Sequence, residues 1–187
     1  MVKIPVSEQD LDLVRRAQAA DLVAFEELVR RYQRPLFSYL YRMCGNRDEA
    51  EEMAQAALVR AWQSIKGFQG RSSFKTWLFR IGTNLAINRL QRTKPTAEIP
   101  ESLPGPESEE PDETFRRRQR EQLVQAALNQ LPADQRSALV LCTYEDMSYS
   151  EIARAMGKTV RAVDSLLFRA RQNLRKFLEP AHKKGLV

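Results

Sequence analysis

The chain is predicted to be all-α, and three features of its 187 residues carry that prediction. Apolar residues return every three or four positions through both flanks, the spacing of a buried helix face. The alternation of a half-buried strand is found nowhere, and no internal repeat is visible. Five prolines (Pro95, Pro100, Pro104, Pro106 and Pro111) fall within residues 93–114, where neither a helix interior nor a central strand would tolerate them. The helical chain is thus divided into two small domains, 1–92 and 115–187, joined by a linker. The two are expected to move as separate bodies, each folding alone.

The first helix is expected from Ser7, as its cap, to about Ala19, and Asp21 suits the cap of the second. In that second helix Phe25, Leu28, Val29, Tyr32, Leu36, Tyr39, Leu40 and Met43 keep one helical phase. Pro35 lies inside the pattern and predicts a kink or a short break. Gly45 is placed to end the helix, and Asn46 with Glu49 has capping-box spacing for the third, Asn46–Lys66. Met53, Ala54, Ala57, Leu58, Ala61, Trp62 and Ile65 line the buried side of this third helix. Its outer side carries Glu51, Glu52, Gln55, Val59, Arg60 and Gln63. This is either a solvated face or, with Val59 set among charges, a protein-binding surface.

A loop with Gly67, Gly70, Arg71, Ser72 and Ser73 leads into the fourth helix, whose apolar positions are Phe74, Trp77, Leu78, Ile81 and Leu85. Trp77, Arg80, Asn84 and Asn88 follow one another at steps of three, four and four, so they form one stripe. A ring, a guanidinium and two carboxamides in a row can stack on unpaired bases, hold phosphate and hydrogen-bond base edges. The competing reading is a core Trp beside a solvated polar flank.

Charge divides the chain in the same places. Residues 1–92 carry 15 Lys/Arg against 10 Asp/Glu, residues 93–114 one against seven, and residues 115–187 14 against seven, within a net charge of +6. Two basic bodies favour a polyanionic partner. The acidic strap between them reads as a flexible, extended linker. Its alternative role is to imitate DNA and rest on one of the basic domains.

In the C-terminal domain, Gln119–Gln130 and Pro132–Tyr144 read as two helices. Ser148 with Glu151 forms a capping box for a short helix carrying Ile152, Ala153 and Met156, which Gly157 ends. Thr159 caps a longer helix, Val160–Phe177, with Val160, Val163, Leu167, Ala170, Leu174 and Phe177 in register. A short helix, a turn with Gly and a longer basic helix is the helix-turn-helix arrangement, although three-helix packing without DNA binding produces similar turns. Its reading face would present Arg161, Asp164, Ser165, Phe168 and Arg169, while Lys158, Arg171 and Arg175 suit phosphates.

Several classes of function have little support. Cys44 and Cys142 lie far apart in apolar helical contexts and read as buried free thiols. His182 is the single histidine, so no metal site is predicted. No phosphate loop or His near a nucleophile points to catalysis. No apolar run nears the ~18–20 residues of a membrane span. The N-terminus MVKIPVSEQDLD lacks the apolar core of a signal peptide. A cytoplasmic protein without direct membrane insertion is expected. An autonomous helix-turn-helix regulator would need dimer symmetry, and no heptads are present. A helical adaptor with incidental basic faces is the remaining alternative.

The combination of WLFRIGTNLAINRL, an acidic Pro-rich linker and LPADQRSALVL…YSEIARAMGKTVRAVDSLLFRARQNLRKF resembles the extracytoplasmic-function (ECF) group of bacterial RNA polymerase sigma factors. The resemblance runs from about Asp21 to Phe177. AFEELVRRYQRPLFSYLYRMCGNRDEAEEMAQAALVRAW and Phe74–Leu78 are similar to the group's region 2, and LPADQR, SYSEIA and the FRAR of Phe168–Arg171 to its region 4. It implies a region-2-like bundle that binds core RNA polymerase and reads and melts the −10 element, and a region-4-like domain that reads the −35 element. Residues implied for single-stranded −10 DNA are Phe68, Arg71, Ser72, Lys75, Trp77, Arg80, Asn84 and Asn88, with the Phe68–Ser73 loop taking one flipped base. Those implied for the polymerase are Asp48, Glu51, Gln55, Leu58, Val59, Arg60 and Trp62. Those for the duplex −35 element are Lys158, Arg161, Asp164, Ser165, Phe168, Arg169, Arg171 and Arg175. An anti-sigma factor is an implied partner; no cofactor, metal, catalytic residue or small-molecule substrate is. The chain departs from the common pattern at Gln55-Ala56-Ala57-Leu58, and at Asp164 and Leu166, which replace two usual cations.

Overall fold

The computed structural model describes the backbone of residues 6–92 and 113–183, with side chains over 10–92 and 119–179. The described residues are helical throughout both flanks: α1 (Val6–Gln18), α2 (Leu22–Cys44), α3 (Arg47–Ser64), a 3-10 turn (Ile65–Gly67), α4 (Phe74–Arg92), α5 (Glu113–Asn129), α6 (Ala133–Tyr144), α7 (Tyr149–Met156) and α8 (Val160–Lys183). No strand occurs among them. The linker expectation falls outside the described residues except for Glu113 and Thr114, which open α5. His182 likewise has no described side chain.

Local chemistry sets the helix ends much as expected. The Asp21 carboxylate accepts the N–H of Ala24 at 3.1 Å. Gly45, at φ 74°, ends α2 by donating its N–H to Tyr41 O at 2.7 Å, a left-handed turn that suits a residue without Cβ. The Asn46 side chain accepts from Glu49 N at 3.1 Å, but the Glu49 carboxylate does not return the bond; it pairs with Arg89 of α4 at 3.1 Å. Helix α1 begins at Val6, so Ser7 lies within its first turn and not before it. Helix α2 runs unbroken past Pro35, correcting the expected break: Tyr32 and Leu36, on either side of the ring, are both buried and hold the two turns on one core.

Helices α1 to α4 wrap a core of Leu28, Leu36, Leu40, Met43, Ala57, Leu78 and Phe79. The buried side of α4 is Phe74, Leu78, Phe79, Gly82, Thr83 and Ala86. Gly82 lets α2 approach: a Cβ there would stand 2.9 Å from Leu36 Cδ1. In the C-terminal half, α6 is buried from Gln135 to Leu141, with α7 and α8 packed on it through Ile152, Val163, Leu167 and Ala170.

The two halves are not separate bodies in this conformation, which corrects the expectation that they touch only through the linker. Helices α6 and α7 lie on α2 and α4, and one apolar core continues through both halves. Tyr39 of α2, fully buried, places its hydroxyl 2.9 Å from the Thr83 hydroxyl of α4 and 2.8 Å from that of Ser137 in α6. Arg136 of α6 donates to Met43 O, and Gln125 Nε2 of α5 to Arg42 O at 3.2 Å. Two carbonyls of the last turn of α2 are thereby satisfied by the other half of the chain.

Candidate nucleic-acid interface

The loop before α4 is fixed from beneath. Gln18 of α1 donates to Ile65 O at 3.1 Å and to Phe68 O at 2.7 Å, holding the 3-10 turn and the residue after it. Gly70 adopts φ 66°. Ser73 caps α4 by accepting from Thr76 N at 3.1 Å. A small cavity of about 210 Å³ opens here, lined by Asp10, Leu11, Val14, Phe68, Gly70, Ser72, Ser73 and Phe74. Asp10 is nearly inaccessible; its carboxylate accepts from Arg31 at 3.0 Å and from the Tyr32 hydroxyl. Burial, and then the Asp10 carboxylate, push the Tyr32 phenol well above its ordinary range.

Along α4, Arg80, Asn84 and Asn88 are exposed on one stripe, as the spacing predicts. Trp77 is half-buried, its ring centroid 4.9 Å from Phe68 and 5.7 Å from Phe74. Phe68 is 9% exposed, so the ring expected to meet DNA is a core residue that supports Trp77 from below. Arg71 is exposed and Ser72 half-buried. Lys75 also departs from expectation. Its ammonium donates to Glu145 O at 2.7 Å and pairs with the Glu145 carboxylate at 3.2 Å, across the two halves. Glu145 is 7% exposed, and burial pushes its carboxyl up from the usual range despite the pull of Lys75.

On α3 the outer residues Asp48, Glu51, Gln55, Val59 and Arg60 are exposed, Val59 at 54%, while Leu58 and Trp62 are half-buried. The Trp62 ring meets Phe25 at 4.9 Å, so it belongs to the packing beneath this face.

The C-terminal element is a capped helix pair. Ser148 and Glu151 exchange bonds of 3.3 and 2.9 Å, Gly157 turns the chain at φ 63°, and Thr159 accepts from Ala162 N at 3.2 Å. Val163, Leu167 and Ala170 face the core, which turns Arg161, Asp164, Ser165, Phe168 and Arg169 outward together. Phe168 is 61% exposed. Lys158, Thr159, Arg161, Ser165 and Arg169 line a shallow depression that sets three cations around one site, an arrangement suited to phosphate. Arg171 and Arg175 are exposed, whereas Lys158 is paired with Asp134 at 3.0 Å. Asp164 makes no ion pair or hydrogen bond among the described residues.

Cys44 and Cys142 are free thiols, half-buried where full burial was expected. No group of three His, Cys, Asp or Glu side chains comes together among the described residues, and no described helix is long and apolar enough to cross a membrane. Sequence reasoning missed Gln18 and Asp10, and named Ser73 as a loop residue without its role as the cap of α4. Ser73, three residues before Thr76 and followed by an apolar run, carried a cap signal; the other two act through distant partners.

Comparison with known proteins bears on both halves. The Sigma-70 region 2 family matches residues 28–96, and Sigma-70, region 4 matches residues 121–174. RNA polymerase sigma-H factor of Pseudomonas aeruginosa is 38% identical over 184 residues, covering 92% of this chain and 95% of that protein. The ECF RNA polymerase sigma-E factor of Haemophilus influenzae is 32% identical over 182 residues, covering 91% and 96%. Among solved structures, CnrH in complex with the cytosolic domain of CnrY superposes with a TM-score of 0.73 at 24% identity, covering 91% of this chain and 97% of that one. The sigma factor RpoE in complex with the anti-sigma factor NepR from Bartonella quintana gives 0.62 at 24% identity, covering 83% and 96%. The two structures share the fold of this chain.

Proposed function

The chain belongs to the sigma-70 family, in its ECF group of RNA polymerase sigma factors, and from that premise we propose how its surfaces divide the work of transcription initiation. The outer face of α3, with Asp48, Glu51, Gln55, Val59 and Arg60, docks on core polymerase. The α4 stripe of Arg80, Asn84 and Asn88, with Arg71 and Ser72 in the loop, holds the non-template strand of the −10 element as it opens. The cavity beside that loop takes one unstacked base, with the Phe74 ring in its wall. Helix α8 lies in the major groove of the −35 element, reading bases through Arg161, Asp164, Ser165, Phe168 and Arg169, while Arg171 and Arg175 hold phosphates. The protein works by binding, without catalysis of its own, in the cytoplasm where polymerase and promoter are found. An anti-sigma partner fits the reading, as the Bartonella sigma factor has one in its complex.

The observation that carries this reading is the pairing, in one chain, of an exposed base-reading stripe beside a base-sized cavity with a basic helix-turn-helix face. Run-off transcription with purified core polymerase and a promoter library tests the whole. Arg80→Ala and Asn84→Ala test the −10 surface: each should abolish the melted bubble seen by permanganate footprinting and leave polymerase binding intact. Unchanged footprints in both variants would overturn the assignment.

A further inference from the structure

The cavity beside the α4 loop holds a group that affinity for a DNA backbone does not explain. Asp10 alone among the described lining residues is charged, and it is 2% exposed. A carboxylate repels phosphate, so it adds nothing to binding of the strand as a polyanion. Its oxygens are only partly engaged: Oδ1 accepts from Arg31 Nη1 at 3.0 Å, and Oδ2 accepts from the Tyr32 hydroxyl. An ionised carboxylate has about four acceptor sites. Acceptor capacity is therefore left over among the described residues, on a group removed from bulk water, where unmet acceptors are unfavourable.

The other polar side chains of the cavity are committed elsewhere. The Ser73 hydroxyl lies 2.9 Å from that of Thr76 and accepts the Thr76 N–H at 3.1 Å, while Ser72 donates its hydroxyl to Ser73 O at 3.2 Å. Leu11, Val14, Phe68 and Phe74 make the rest of the wall apolar. The helix that carries Asp10 also fixes the loop, because Gln18, about two turns further along α1, donates to Phe68 O at 2.7 Å. Carboxylate and loop backbone are thus held in one frame. At about 210 Å³ the cavity is smaller than the ~300–1,000 Å³ of ordinary small-molecule sites, which suits a single-ring base better than a double-ring one. The two single-ring bases of DNA differ at C4, where cytosine presents an amino donor and thymine a carbonyl acceptor.

We propose that the cavity selects an unstacked cytosine, and that Asp10 selects it by accepting the N4 amino group on the acceptor sites that Arg31 and Tyr32 leave open. Selection of this kind rests on the proposed assignment of the cavity to the −10 strand, and it names which base enters. The apolar wall holds the ring, and the carboxylate distinguishes the substituent at C4. Thymine would bring O4 against a buried carboxylate, setting two acceptors face to face with no donor between them. Arg31 and Tyr32 fix the carboxylate and act as positioning residues. Asp10 lies on α1, ahead of the residues 28–96 that match the region 2 family, so this specificity comes from outside the matched segment.

The test uses holoenzyme, made from the full chain and core RNA polymerase, on forked DNA whose single-stranded −10 element is varied one position at a time. At one position the parent should prefer cytosine about tenfold or more over the other bases and over pyrimidinone, the cytosine analogue without the amino group. Uracil should be as poor as thymine there, which shows that the methyl group is not the cause. Asp10→Asn keeps the size of the side chain: its oxygen still accepts from Arg31, while its amide donates to the Tyr32 oxygen and, with the second hydrogen, into the cavity. This variant should lose the cytosine preference at that position and favour thymine and uracil, with preferences elsewhere in the strand unchanged. Tyr32→Phe loosens Asp10 without replacing the carboxylate and should keep the cytosine preference. A parent that binds cytosine and pyrimidinone alike at every position overturns the proposal. So does an Asp10→Asn protein that keeps the parent's preference, or that weakens equally for every base, as a purely structural tie between α1 and α2 would require. The analogue comparison needs only the parent, so it decides even if Asp10→Asn does not fold. A parent without base preference anywhere in the single strand refutes the cavity as a base site, and not only the choice of base.

Discussion

Removing the Tyr39 hydroxyl tests whether the two halves form one cooperative unit. Tyr39→Phe keeps the ring, and with it the contact to Phe79 at 5.5 Å, but deletes bonds to Thr83 and Ser137, which are both fully buried. A buried neutral hydrogen bond contributes about 1 kcal/mol net, so two give about 2 kcal/mol. Both orphaned hydroxyls sit on helices and can turn to a carbonyl one turn back, which brings the expected loss to ~1–2 kcal/mol. The informative quantity is the coupling. A double-mutant cycle of Tyr39→Phe with Ser137→Ala, followed by urea unfolding monitored by circular dichroism, should give about 0.5–1.5 kcal/mol. The cycle with Thr83→Val, within one half, should give a similar value. The reasoning fails if the Tyr39–Ser137 coupling lies within about 0.3 kcal/mol of zero while Tyr39–Thr83 couples normally, since the halves would then be packed without being linked. Burial raises the Tyr39 phenol to about 12, so its proton is retained throughout an ordinary unfolding experiment and the coupling is not distorted by titration.

Three further outcomes follow. Phe68→Ala should lower stability by ~3 kcal/mol, as a cavity beneath Trp77 and Phe74, whereas Arg71→Ala in the same loop should leave the unfolding midpoint unchanged; equal, small effects would mean that Phe68 is free to meet DNA. The raised pKa of Glu145 means that the fold favours its protonated form, a contribution fully present below the ordinary value of 4.5 and lost as pH rises through the folded value. The stability of the parent relative to Glu145→Gln should therefore fall as pH rises above about 4.5, and a difference flat with pH, or rising, would refute the desolvation argument. Asp164→Ala should relax base preference at one position of the −35 element by ~10-fold if the carboxylate accepts from cytosine, and should raise affinity for all sequences alike if it only repels phosphate; a binding-site selection with the full chain decides between them.

Much of the fold was legible because its signals are local. Asp21, Gly45, Ser148, Gly157 and Thr159 act on backbone groups within a few residues of themselves, and each does in three dimensions what its position implied. The outward stripes on α4 and α8 were legible for the same reason: a helix converts spacing into a face without reference to the rest of the molecule. The buried side of α4 was only half visible, because Gly82 and Thr83 are buried without being large or apolar. Phe68 was misjudged because an aromatic residue in a loop carries no period that says which way it points. Only Gln18 reaching back to the Phe68 carbonyl fixes that.

The cross-half contacts were illegible for a different reason. Each of their residues already has a sufficient local explanation. Tyr39 fits the apolar phase of α2, Ser137 lies within a helix, Lys75 follows the start of α4 on a basic protein, and Glu145 reads as a loop acid. Nothing in the spacing relates positions 98 residues apart, as Tyr39 and Ser137 are. The acidic, Pro-rich strap also argued for separation, but its composition carries no information on whether the flanking halves adhere. The adhesion is chemically mixed, an apolar contact crossed by a hydroxyl pair, a guanidinium on a helix end and one ion pair. Such an interface can be strong enough to persist and still come apart. The Lys75–Glu145 pair illustrates this balance: Glu145 gives up most of its solvation and stays harder to ionise than in water, so the ion pair adds specificity of register more than strength. A partner that offered Lys75 a phosphate would return Glu145 to solvent, so a single exchange would favour DNA on one side and hydration on the other.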